Sequence, residues 1–224
     1  MVSRSAVFVL LLSCIPVFAQ TAVPADSHTP KIFRDNALGV TYSYPGEFLA
    51  EKVVAPAKAD PAAPRCVQST LSGGSTTKLG SSVFVLSMMD DACPGVLLKA
   101  SRQLESFTKE QILRQLKSYG TPVVTQEPVH YSIDGHPAAI TMGSAQPDEA
   151  QPGKTSVTTY AAKACVLRNV AVKATKSNSA QPVKHVLCFD FTTQQKDLLP
   201  LMLGFTIQFD EGKPESLVPG NILR

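Results

Sequence analysis

Tryptophan is absent from the 224 residues, and aromatic side chains amount to 7% of them. The core must therefore rest on Val, Leu, Ile, Phe and Tyr. Charge is scarce too, at 17% of residues, and basic groups exceed acidic ones by only +3. So small and evenly spread a surplus excludes an electrostatic footprint for nucleic acid or an anionic bilayer surface. No C-x-x-C pair occurs, which removes a thioredoxin-like redox centre and a zinc knuckle. No G-x-S-x-G elbow is present, nor an S-x-x-K with its partner motifs. Gly73-Gly74 lacks the lysine-threonine ending of a phosphate loop. These absences leave no catalytic residue, no metal ligand set and no cofactor site to expect.

What the chain does have begins at its N-terminus. Arg4 supplies a positive start, Ala6 to Leu12 and Ile15 to Phe18 are apolar, and Val17-Phe18-Ala19 ends in a small residue before Gln20. This is the layout of a secretory signal peptide cleaved after Ala19. The stretch is shorter than the roughly 20 residues a bilayer span requires. Leu11-Leu12-Ser13-Cys14 offers the rival reading of a lipobox. Leu12 is a poor occupant before the cysteine, however, and more apolar residues follow it, so soluble export is favoured. The expected product is periplasmic or secreted, with no stable membrane insertion after cleavage.

Of the five cysteines, Cys14 falls in the signal segment. Cys66, Cys93, Cys165 and Cys188 remain, an even number in an exported chain, and read as two structural disulfides. Cys165 and Cys188 each lie in an apolar, strand-like stretch. Strands close in sequence usually pair, which favours Cys165 with Cys188 and Cys66 with Cys93.

Residues 20–31 read as a flexible leader, 32–210 as one domain and 211–224 as a loose tail. Val40, Tyr42 and Tyr44 alternate with Thr41 and Ser43, a half-buried strand stopped at Pro45-Gly46. Val53 to Arg65 is Ala/Pro-rich and reads as a surface loop. A strand is expected around Cys66 to Leu71, a turn at Gly73-Gly74 and Ser75 to Lys78, and a buried strand over Ser82 to Met88. Thr108 with Gln111 makes a capping box, and Ile112, Leu113 and Leu116 an apolar helical stripe ending at Gly120. Val96 to Leu104 is a weaker helix candidate. Asp134-Gly135 marks a hairpin, because a type I′ turn needs positive φ at both central residues. Pro137 implies that its strand lies at an edge or is bulged. Strands follow over Thr155 to Leu167 and Lys184 to Thr192, with Val170 to Thr175 as a further one. A short helix capped by Asp197 comes next, then a last strand alternating at Phe205, Ile207 and Phe209.

This order predicts an α+β fold, mostly antiparallel, with helices packed on the faces of the sheet. LGVTYSYPGEF near the start and DLLPLMLGFTIQF near the end resemble the PsbP-like/DcrB-like superfamily of α/β/α sandwiches. The resemblance spans most of Ile32 to Asp210. It implies an exported accessory or binding subunit rather than an enzyme, and transfers no site residue.

His130 and His136 flank the Asp134-Gly135 turn and could hold a transition metal only if they converged. In a regular two-residue hairpin His130 opposes Ala139 and Ile133 opposes His136, so they need not. Asp90-Asp91 could bind Ca²⁺ or act as acid and base, but sequence neighbours point apart on an extended chain. The favoured function is an exported non-catalytic binding or accessory domain whose partner is a protein or cell-envelope component. The alternatives are a secreted hydrolase assembled from His130, His136, Asp134 and Asp90, and a lipid or small-molecule carrier. Intact mass spectrometry of the exported product should show a chain starting at Gln20; Met1 still attached would contradict export by this segment.

Overall fold

The computed structural model describes residues 29–36, 39–44, 46, 48–52, 67–77, 80–90, 102–147, 157–171, 182–204, 206–210 and 212–222. Residues 1–28, the Ala/Pro-rich stretch, Asp91, Cys66 and Cys93 lie outside these residues. So do residues 148–156 and 172–181.

Eleven strands and two α-helices occur among the described residues: β1 (Lys31–Asp35), β2 (Val40–Tyr44), β3 (Leu49–Lys52), β4 (Val67–Thr77), β5 (Gly80–Asp90), α1 (Arg102–Leu116), β6 (Thr121–Ile133), β7 (His136–Gln146), β8 (Thr159–Ala171), β9 (Pro182–Thr193), α2 (Leu198–Leu203), β10 (Thr206–Phe209) and β11 (Glu215–Ser216). They form a seven-stranded sheet ordered β3-β4-β5-β9-β8-β7-β6 and a four-stranded sheet ordered β1-β2-β10-β11. Every recorded pairing is antiparallel.

The expectation of helices on both faces of one sheet holds on one side only. On that side, Leu104 and Phe107 of α1 pack on Met89, Ala139, Cys165, Val186 and Cys188. Ile112 and Leu116 pack on Ala145 and Ala161. The alanines keep β7 and β8 shallow, so the helix can lie close. Thr108 Oγ1 meets Thr141 Oγ1 at 3.0 Å, and Gln115 Nε2 donates to Thr192 Oγ1 at 2.7 Å. The opposite face is covered by the small sheet together with α2. The α/β/α description is thus corrected to helix, large sheet, small sheet plus short helix. The cause is visible in β2, whose Val40, Tyr42 and Tyr44 are all buried. Their apolar side needs a sheet face to lie on, and β10 and β1 pair with β2 rather than joining the large sheet.

The main core lies between the sheets and is aromatic despite the missing tryptophan. Tyr42 lies 5.2 Å from Phe189, while Tyr44 and Phe48 each lie 5.3 Å from Phe84, centroid to centroid. Such offset and tilted pairs add to the area they remove from water. Phe191, Leu86, Ile140, Ile207 and Phe209 complete the layer.

Several local expectations change. Thr108 does not cap a helix: α1 runs from Arg102 to Leu116, and Thr108 is fully buried in its middle. Its hydroxyl donates back to the Glu105 carbonyl at 2.9 Å, the alternative use of a threonine within a helix. Gly120 is required for another reason than a left-handed cap. It sits at φ 137°, where a Cβ would come within 1.9 Å of the Gln146 carbonyl oxygen. The turn expected at Gly73-Gly74 is instead the middle of β4, which pairs with β3 on one side and β5 on the other. Pro137 lies in an inner strand, but at its second residue, before the β8 pairing starts at Ala138. The missing N–H therefore costs no bond to β8. Asp197 makes no side-chain cap bond to α2. The C-terminal residues are not loose: Leu217 and Val218 are buried, and Tyr131 Oη donates to the Leu217 carbonyl at 3.0 Å. Val218 N–H also donates to the Leu203 carbonyl at 3.1 Å, so residues 212–222 seal one end of the core.

Cys165 and Cys188 are register partners on β8 and β9, at bonding distance, with Cα atoms 4.1 Å apart. Both are fully buried under α1. Replacing both with alanine should cost about 3 kcal/mol or more, read from urea unfolding, because the link closes a loop of some twenty residues. Thiol labelling of both Cys165 and Cys188 in the native protein would show that the two sulfurs are not joined.

Candidate functional site

Strand alternation sorts the charged residues onto two faces of the large sheet. On β8, Ala162, Ala164 and Val166 belong to the core between the sheets, whereas Ala161 and Cys165 belong to the layer under α1. Lys163 therefore faces α1 and Arg168 faces the small sheet.

On the α1 side, Lys163 is the register partner of Asp190 on β9. The ammonium donates to Asp190 Oδ1, and the side chains retain only 8% and 16% of their exposure. Above them α1 stops covering the sheet. A groove of about 380 Å³ opens between its Gln111–Gln115 turn and strands β5 and β9. Its lining is Val85, Ser87, Met89, Gln111, Arg114, Gln115, Lys163 and Asp190. An apolar wall with a few convergent polar groups is the usual make-up of a small-molecule site. The charged pair was invisible in the sequence, since Lys163 and Asp190 sit 27 positions apart. The signal that could have found it is a lysine and an aspartate each interrupting an apolar strand, at positions that the favoured Cys165–Cys188 pairing brings face to face.

On the other side, Arg168 is 2% exposed, with its guanidinium carbon 4.5 Å from the centroid of the Phe209 ring. Its Nη2 donates to Asp210 Oδ2 at 2.5 Å. Burial lowers its pKa and Asp210 works against that. Asp210 holds a left-handed φ of 45° and donates its N–H to the Gly39 carbonyl at 2.8 Å. His136 meets Phe209 edge-on at 5.3 Å. Burial and the nearby Arg168 charge lower its pKa below the ordinary 6.5, against a weaker pull from Asp134 and Asp210.

The residues singled out in the sequence do not assemble. The hairpin has the expected register, with His130 opposite Ala139 and His136 opposite Ile133. Asp134 and Gly135 take φ of 49° and 74°, as a type I′ turn demands. That register sends the two imidazoles to opposite faces. His130 Nδ1 lies 3.9 Å from Glu105 Oε1 on the α1 side, and His136 lies on the small-sheet side. The Asp134 N–H donates to Glu215 Oε2 at 3.0 Å. Asp90 ends β5, opposite His185 of β9, with β9 and β8 standing between β5 and the hairpin. Among the described residues no group of three or more His, Cys, Asp or Glu side chains could hold a metal ion.

No family model matches this sequence, and no curated protein does. Among solved structures the chain is similar to cyanobacterial PsbP (CyanoP) from Synechocystis. There the identity is 12%, with 89% of this chain and 98% of that one covered, at a TM-score of 0.43. It is also similar to LpqN, involved in cell envelope biogenesis of Mycobacterium tuberculosis. That match has 11% identity, 69% and 83% covered, and a TM-score of 0.36. No residue role passes from either to this chain.

The lowered pKa of His136 has a defined sign. The unfolded chain takes up the proton first, so stability is full above about pH 6.5 and falls as the pH drops from there to the lowered folded value. His136→Phe should flatten that part of the stability–pH curve in urea titrations. An unchanged slope would assign the acid sensitivity to other groups.

Proposed function

We propose that this protein is an exported, non-catalytic binding domain that serves a protein or envelope component. In this reading the segment ending at Ala19 is removed, the residues from Gln20 up to β1 at Lys31 are a leader, and Cys66–Cys93 forms a second staple beside Cys165–Cys188. The observation that carries the proposal is the groove beside α1. Its floor belongs to β5, β8 and β9, central strands of the large sheet, and the last two are tied to each other by the sulfur pair two residues along each strand from Lys163 and Asp190. A rigid floor holds polar groups in place before a ligand arrives, which lowers the entropic cost of binding. Lys163 and Asp190 are bonded to one another, an arrangement suited to recognition.

No helix among the described residues is long and apolar enough to cross a membrane. Export therefore rests on the N-terminal segment and the cysteines. The hydrolase alternative needs His130, His136, Asp134 and Asp90 in one place, and the sheet spreads them over both faces and over non-adjacent strands.

The exported protein, mixed with the small-molecule extract of a cell envelope, should show saturable shifts of the Val85 and Met89 methyl resonances. Mass spectrometry should recover the bound compound unchanged. A chemically converted product would overturn the non-catalytic reading, and methyls that never shift would overturn the groove as the binding face.

A further inference from the structure

The groove also specifies a ligand class. Lys163 Nζ has three donors and the Asp190 carboxylate has two oxygens. The bond between them uses one donor and one oxygen, and no second partner of either is recorded among the described residues. The remaining capacity of both opens onto the groove and is available to a ligand there. The rest of the lining is balanced. Arg114 stands at the mouth, bonded to the exposed Glu110 at 2.7 Å. Gln115 spends an amide donor on Thr192, and Gln111 adds a second carboxamide to the wall. A simple anion entering here would meet Asp190, and a simple cation would meet Lys163 and Arg114. A molecule with both charges meets neither penalty. Its ammonium can bond the unused Asp190 oxygen while its carboxylate takes donors from Lys163 and Arg114. Val85 and Met89 then offer an apolar wall to whatever hangs from the carbon between the charges. The volume, about 380 Å³, lies near the low end of ligand pockets and suits a small molecule.

We propose that the groove is a subsite for a free α-amino acid, or a comparably small zwitterion, with an aliphatic side chain. The proposal rests on the binding reading above and adds the chemistry of the ligand to it.

The test uses the full exported chain and three probes: leucine, N-acetyl-leucine, which lacks the ammonium, and leucinamide, which lacks the carboxylate. Calorimetry with methyl NMR should show leucine saturating the groove, with Val85 and Met89 shifting. Each blocked analogue should bind roughly tenfold more weakly or worse, because each leaves one of the groove's charges without its ligand partner. Asp190→Asn and Lys163→Met should each weaken leucine. The paired Lys163→Met/Asp190→Leu variant removes both charges without stranding either, and should abolish binding with the fold retained.

Equal affinity for leucine and both analogues would overturn the zwitterion assignment. So would a paired variant that folds and still binds leucine. If none of the three probes moves the groove methyls, the assignment also fails. The envelope-extract experiment then decides separately whether the groove binds anything, so the failures of the two proposals are distinguishable.

Discussion

The pairing of β8 with β9 is the constraint on which the rest of the structure depends. Their register runs from Tyr160 opposite Thr193 to Ala171 opposite Pro182, and three features follow from it directly. It brings Cys165 and Cys188 together beneath α1. Two residues along, on the same face, it bonds Lys163 to Asp190 at the bottom of the groove. On the reverse face it presents Ala162, Ala164 and Val166, with Leu187, Phe189 and Phe191, to the small sheet. A shift by one residue would turn every one of these side chains to the wrong side. The covalent link therefore pins the same register that builds both the core and the candidate site.

The two faces carry their polar load differently. Toward the small sheet, Arg168 lies against Phe209 and donates from Nη2 to Asp210, while Tyr131 and the residues after β10 close the end of the core. These groups are spent on holding the C-terminal segment down. His136, packed edge-on to the same ring, makes that end sensitive to acid. Toward α1 the helix lies over β6, β7 and β8 and packs on Met89 of β5, but leaves Val85 and Ser87 of β5 lining the groove. Polar groups left at that margin line open space rather than a packed interface. The proposed binding site lies at this margin, where polar groups line open space.

The long edge strand β6 shows how the large sheet is protected on one side. It carries Pro122 and Pro128, and its register with β7 slips twice, between Val124 and Gln126 and between Gln126 and Val129. Prolines and bulges along an edge discourage further strand addition. The partner of this protein is thus better sought over the sheet face beside α1 than along this edge.

Much of the local structure was legible in the chain. The Asp134-Gly135 turn, the alternation of Val40, Tyr42 and Tyr44, and the Cys165–Cys188 pairing each rest on a short-range rule: positive φ, period two, and neighbouring strands that pair. Thr108 and Gly73-Gly74 misled for one reason. Their local preferences for a cap and a turn are worth a kcal/mol or so, and burial against β7 or pairing with β3 and β5 outweighs that. Whether β2 would join the large sheet or found a second one could not be read from the order of elements, since both choices bury its apolar side. The meeting of Lys163 with Asp190, and the separation of His130 from His136, belong to the same class. By itself the sequence determined which side chains each strand turns to the same face. Only the tertiary structure decided what lies across from that face, because facing partners come from segments far apart in the chain, brought together by packing.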